Sequence, residues 1–179
     1  MFLYSLDNKR YHTLNYHYRK LFNHKVFKVS LNANFTCPNF KNGNGCIFCL
    51  HGSNDYDTHK QNNLIKQFYD VAEVLENKWP GSYYIAYFQA NTNTYAPVSV
   101  LKEKYETVLN LPNVKGISIA TRSDAISKDC YEYLSELNER TFLTIELGLQ
   151  SSKESTLKLI NRGHDLQNFI DCVKSLKDR

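Results

Sequence analysis

Cys37, Cys46 and Cys49 crowd into the segment NFTCPNFKNGNGCIFCL (residues 34–50), separated by eight and then two residues. Thiolates are soft ligands that select zinc or iron-sulfur chemistry, and two of them at C-x-x-C spacing on a turn aim at one centre. Pro38, Gly43 and Gly45 supply turn backbone, so the segment is expected to wrap a bulky object with neither helix nor strand of its own. Adding His51 would complete a Cys3His zinc site, whereas an iron-sulfur cluster held by three thiolates keeps one iron without a protein ligand. Spacing alone serves both equally. The cysteine count is odd, at five, and three are clustered, which fits metal ligation in a reducing compartment better than a disulfide framework. Cys130 and Cys172 fall on apolar helix faces and read as buried structural thiols.

The elements that must position this loop follow from hydrophobic period. Residues 25–31, 82–89, 115–121 and 141–149 are rich in β-branched and aromatic residues and read as strands. Amphipathic helices lie between them, with Leu64, Phe68, Val71 and Leu75 on one face. Val98, Leu101, Tyr105 and Val108 share another, as do Cys130, Leu134 and Leu137. Ser151 and Glu154 stand at capping-box spacing, and Asp165 is placed to cap the segment carrying Leu166, Phe169, Ile170 and Val173. Strands alternating with helices predict an α/β protein with a parallel sheet. The sequence shows neither an internal repeat nor a low-complexity tract.

Alternation within the strands carries the next step. Phe27, Val29 and Leu31 point one way while Lys28, Ser30 and Asn32 point the other. Thr144, Glu146, Gly148 and Gln150 alternate with Leu143, Ile145, Leu147 and Leu149, and Ser118 shares a face with Arg122. A doubly wound sheet is apolar on both faces, so a polar face predicts a barrel with helices outside and a polar lumen. Glu146 inside an apolar strand costs several kcal/mol, roughly, unless it meets a ligand or a cation such as Arg122 or Lys28. The cysteine loop follows the first strand at its C-terminal end, where such barrels place their chemistry. That position favours a cluster over a zinc knuckle.

Bulk properties set the frame. The 179 residues allow one domain with a real core, divided here into an N-terminal extension (1–24) and a barrel domain (25–179). Twenty-two basic against 18 acidic residues give +4, too small a bias to argue by itself for a nucleic-acid or membrane surface. No apolar run approaches the roughly 18 residues needed to span a bilayer, and the first residues lack the pattern of a secretory signal, so a cytoplasmic protein with no membrane partner is expected.

The loop, together with KRYHTLNYHYRK, YFQANTNTYAP, ATRSD, IELGLQS and NRGHD, resembles the radical S-adenosylmethionine (radical SAM) superfamily, in an uncharacterised bacterial family related to the Elp3-like group. The resemblance runs from Lys9 to the last residue. It implies a partial (βα)-barrel of about four of the superfamily's six βα units behind an N-terminal helical extension, and hence a C-terminally truncated chain. It also implies a 4Fe-4S cluster on Cys37, Cys46 and Cys49 whose open iron chelates S-adenosylmethionine. Reductive cleavage then gives methionine and a 5'-deoxyadenosyl radical that abstracts hydrogen from the substrate. The first cysteine interval departs from the three residues usual in the superfamily.

By the same resemblance Phe48 lies beside the adenine, and Gln89, Asn91, Thr92 and Asn93 contact the methionine amino group after the second strand. Glu146 and Gln150 meet the ribose or methionine, and Thr121, Arg122 and Asp124 line the cavity. Arg162 and His164 either reach that cavity or link two helices. The implied partners are a one-electron donor such as a flavodoxin or ferredoxin and, from the Elp3-like kinship, an RNA substrate. An open barrel edge implies self-association. Two competing readings are an inactive truncated fragment and a zinc-stabilised nucleic-acid-binding module. The latter would use Lys9, Arg10, Tyr11, His17, Tyr18, Arg19 and Lys20 as a basic, aromatic patch. Otherwise that patch is a solvated helix wrapped across the barrel.

Overall fold

The computed structural model describes residues 8–49 and 63–179. Its centre is a four-stranded, all-parallel sheet in the order β1 (Val26–Leu31), β2 (Tyr83–Phe88), β3 (Val114–Thr121) and β4 (Phe142–Leu147). Parallel neighbours require crossovers, and α3 (Leu64–Lys78), α4 (Val98–Leu109) and α5 (Lys128–Arg140) supply them. Before the sheet come α1 (Leu14–Phe22) and, after β1, the short α2 (Pro38–Lys41). Behind it lie α6 (Glu154–Leu159) and α7 (Leu166–Lys177). This is an α/β protein with a parallel sheet, as the strand and helix periods predict, and its partial (βα)-barrel behind an N-terminal helix is what the family resemblance implies.

Four helices begin at a side chain that satisfies a free N–H group. Thr13 caps α1, Asn63 caps α3, Ser127 caps α5 and Asp165 caps α7, each side chain accepting from the backbone N–H three residues on. The expected capping box of Ser151 and Glu154 does not form. The N-cap of α6 is Lys153, the Ser151 hydroxyl accepts instead from Lys153 N–H, and Glu154 reaches across to accept from the N–H of Leu166 at the start of α7. One carboxylate thus ties two helices together rather than closing its own.

The core sits between one face of the sheet and the three crossover helices. Val29, Leu31, Ala86, Phe88, Ile117 and Ile119 pack on Phe68, Leu101, Tyr105, Leu134 and Leu137. Cys130 and Cys172 are buried, as expected of structural thiols, and burial pushes the Cys130 thiol up to about 12. Outward-facing apolar residues of β1, β2 and β3 therefore meet helix, those of β4 do so only in part, and the opposite face is left to polar chemistry.

That opposite face is closed at its N-terminal end by α1. Tyr18 packs with Val26 and Ile85, flanked by Phe22, Tyr83 and Phe142. Tyr18 is 3% exposed, so it is a core residue and not part of a base-stacking patch. Around it Lys9, Arg10, Tyr11, His17, Arg19 and Lys20 remain exposed. The helix thus packs one face on the barrel and leaves the other to solvent.

Candidate functional site

Above the α1 plug, the polar face of the sheet is a hydrogen-bonded network centred on Glu146. Its Oε1 accepts from Lys28 Nζ and from Ser118 Oγ at 2.9 Å, while Oε2 accepts from Tyr87 OH at 2.8 Å. The four residues come from β1, β2, β3 and β4, so one carboxylate spans the sheet. Of the two cations that the sequence offers it, Lys28 is the partner. Burial pushes the Glu146 carboxyl up, but hydrogen bonds from Lys28, Tyr87 and Ser118 outweigh it and hold the carboxyl below its ordinary range. Lys28 Nζ also lies 4.4 Å from the Tyr87 ring centre. Gln89 extends the face, accepting from Ser30 Oγ at 3.3 Å.

The cysteine loop lies beyond the C-terminal end of β1. It is not wholly irregular as expected: Pro38 at the first helical position starts the single turn of α2, with Cys37 as its N-cap. Proline's fixed φ and missing N–H suit that position, which is why the segment winds before Gly43 rather than after it. Cys46 is buried, and Cys37 and Cys49 are half-buried. All three thiols line one cavity of about 360 Å³.

The walls of this cavity come from every strand end. Asn91 and Thr92 follow β2, Thr121 ends β3 with Arg122 next, and Glu146, Gly148 and Gln150 come from β4 and its extension. Phe48 lines it too, though 54% exposed. Asn93 stands behind the wall: its amide donates to Phe88 O at 3.0 Å and Ala120 O at 2.8 Å, locking the ends of β2 and β3. Thr94 likewise bonds Thr121 and Ala125 O. Two larger cavities, about 460 and 520 Å³, lie elsewhere. Neither is lined by Cys37, Cys46 or Cys49, all three of which line the smaller one.

Cys46 is where hydrogen-bond donors converge. Asn39 Nδ2 lies 3.4 Å from its Sγ, Arg162 Nη1 3.7 Å and Arg122 Nη1 4.0 Å. Arg122 is also clamped by Asp124 through two 2.8 Å bonds. Burial opposes its charge, but Asp124 first, then Cys37 and Cys46, more than restore it, and its pKa is raised. Arg162 Nη2 donates to Gly148 O at 2.5 Å. Donors around a sulfur are what a thiolate needs, and three cysteines lining one cavity, with two arginines reaching Cys46, have the chemistry to hold an anionic iron-sulfur cluster. Among the described residues no three His, Cys, Asp or Glu side chains gather closely enough for a single metal ion. His51, the expected fourth ligand of a zinc site, lies outside the described residues.

The segment NRGHD builds this arrangement in a way that the sequence reading missed. Asn161 and Gly163 both take left-handed backbone, with φ of 52° and 81°, and the turn between them aims Arg162 inward. A Cβ on Gly163 would stand 2.4 Å from Asn39 Oδ1, so the position also needs glycine for space. Asn161 Nδ2 donates to Gly45 O at 2.6 Å, Asn39 Nδ2 to Asn161 O at 2.7 Å, and Ile47 N–H to Ile160 O at 3.0 Å. The cysteine loop is thereby stitched to the α6–α7 turn. The Asn-x-Gly pair was the available signal. His164 is half-buried outside the cavity lining; burial lowers its pKa, and its Nε2 has no partner among the described residues.

Comparison with known proteins agrees with this architecture. The sequence model of the Radical SAM superfamily matches residues 37–179. The chain is 52% identical over 181 residues to "Uncharacterized protein YtqA" of Bacillus subtilis, covering 98% of this chain and 56% of that one. It is 34% identical to "Uncharacterized protein MJ0486" of Methanocaldococcus jannaschii (90% and 51%) and 33% to "Protein YhcC" of Escherichia coli K12 (87% and 50%). The chain spans about half the length of the curated relatives that it matches. A parallel sheet with a three-cysteine loop at its C-terminal end, and a match covering most of the sequence, establish that this chain belongs to the radical SAM superfamily.

Proposed function

We propose that Cys37, Cys46 and Cys49 hold a 4Fe-4S cluster and that the cavity beside them takes S-adenosylmethionine. The observation that carries the reading is the convergence of all three thiols on one cavity whose other walls are polar strand ends. The cluster, when bound, supplies the electron that splits the sulfonium into methionine and a 5'-deoxyadenosyl radical for hydrogen abstraction from a substrate. The chain's own residues bind and shield. Asn91, Thr92, Arg122, Glu146 and Gln150 offer hydrogen bonds and charge to the methionine and ribose, and Phe48 offers a ring face to the adenine. Gln89 stands on the polar face next to them, and Asn93 holds the Asn91–Thr92 segment in place from behind.

The finer assignments belong to the same proposal. Residues 1–24 form an extension and 25–179 a barrel domain, in a family related to the Elp3-like group. A flavodoxin or ferredoxin is the class of donor that supplies single electrons. The Elp3-like kinship and the exposed Lys9, Arg10, Arg19 and Lys20 together support an RNA substrate, held through phosphates in a salt-dependent way. Among the described residues no helix is long and apolar enough to cross a membrane.

The test is anaerobic reconstitution followed by reduction with dithionite in the presence of S-adenosylmethionine. We expect about four irons per chain and release of 5'-deoxyadenosine. Cys46→Ala should lose the iron and His51→Ala should keep it. Colourless protein holding one zinc, lost in the His51 variant, would overturn the assignment in favour of a zinc module.

A further inference from the structure

We infer that Arg162 sets the reduction potential of the cluster by placing against one of its sulfurs a positive charge that has no acidic partner among the described residues. The inference rests on the cluster assignment just proposed. Arg162 is 6% exposed, its Nη1 lies 3.7 Å from Cys46 Sγ, and its Nε is buried with no partner among the described residues. Its neutral anchor is Gly148 O, and none of the ion pairs among the described residues includes it. A guanidinium does not shed its proton, so this charge persists wherever it is buried and calls for an anion.

Arg122 provides an internal contrast. It approaches the same sulfur, at 4.0 Å, but Asp124 neutralises it through two 2.8 Å bonds. Two cations therefore face Cys46, one balanced by Asp124 and one without an acidic partner among the described residues. A cluster becomes one charge more negative on reduction, and cations and hydrogen bonds at its sulfurs favour that state. Arg162 should accordingly raise the potential more than Arg122 does, and Asp124 should hold it down. The left-handed Asn161 and Gly163 fix Arg162 in this orientation, and Gly148 leaves room for it, since a Cβ there would stand 3.1 Å from Arg162 Nη2.

The experiment is a redox titration of the reconstituted full chain, without S-adenosylmethionine, followed by EPR of the reduced cluster. R162Q should move the reduction equilibrium at least tenfold toward the oxidised form, about 59 mV downward for one electron. R162K, which keeps the charge, should recover most of that shift, and D124N should move the potential upward. R162Q with full iron and an unchanged potential would reduce Arg162 to a structural tie and overturn the inference. If R162Q fails to hold iron, D124N decides, and an unchanged or lower potential there overturns it equally. A wild-type chain that binds no iron overturns both this inference and the cluster assignment beneath it, which separates the two failures.

Discussion

Glu146 draws donors from the three other strands of the sheet, and its behaviour with pH follows from them. Its folded pKa lies below the ordinary 4.5, so its contribution to stability is present above that value and lost as pH falls through the folded pKa. Glu146→Gln should cost about 1 kcal/mol at pH 7, a figure discounted because a third of the side chain meets water. It should also flatten the decline in stability below about pH 4.5. Urea midpoints at pH 7 and at pH 3 check this, and an undiminished acid decline in the variant would contradict it. That Glu146 needs a partner was legible from one carboxylate in an apolar strand. Which cation it takes was not, because Lys28 and Arg122 are equally charged and only the folded sheet brings Lys28 to it while Asp124 takes Arg122. Tyr87 and Asn39 were missed for a similar reason: a tyrosine in a strand and an asparagine in a loop have ordinary uses, and their roles arise from contacts across the fold.

At the level of elements, strands and crossover helices were readable because period and burial agree, as in Val29 and Leu31 against Lys28 and Ser30. Local signals failed where a tertiary partner outbid them. Glu154 caps α7 rather than completing its own box, and Pro38 winds a turn in a loop whose glycines argue against one. The α6–α7 turn is the element on which the cysteine loop depends. Gly163→Ala must adopt left-handed backbone, roughly 1–2 kcal/mol, and push Asn39 aside. We expect it to lower thermal stability and, more sharply, to lower iron retention, because Asn39 also donates to Cys46. Thermal melts of the metal-free chain alongside iron content of the reconstituted chain measure the two effects. Normal iron retention in a destabilised variant would show that the turn does not support the loop.

Across the whole molecule, β4 is an edge strand of the sheet among the described residues. Leu143, Ile145 and Leu147 face an apolar cavity of about 460 Å³ that Phe169, Val173 and Leu176 of α7 border. An edge strand with an apolar face invites pairing. We expect this chain alone to associate with rising concentration in sedimentation velocity, and Ile145→Lys to weaken that association; a single ideal monomer at all concentrations would contradict it. The chemistry gathers at the other end of the strands, where the thiols, Arg122, Arg162 and Glu146 meet. The most direct test of that account is the EPR spectrum of the anaerobically reconstituted, reduced chain before and after adding S-adenosylmethionine. The account predicts a cluster signal, absent in Cys46→Ala, that changes shape when the cofactor is added. An iron-replete chain whose signal is indifferent to the cofactor would contradict it.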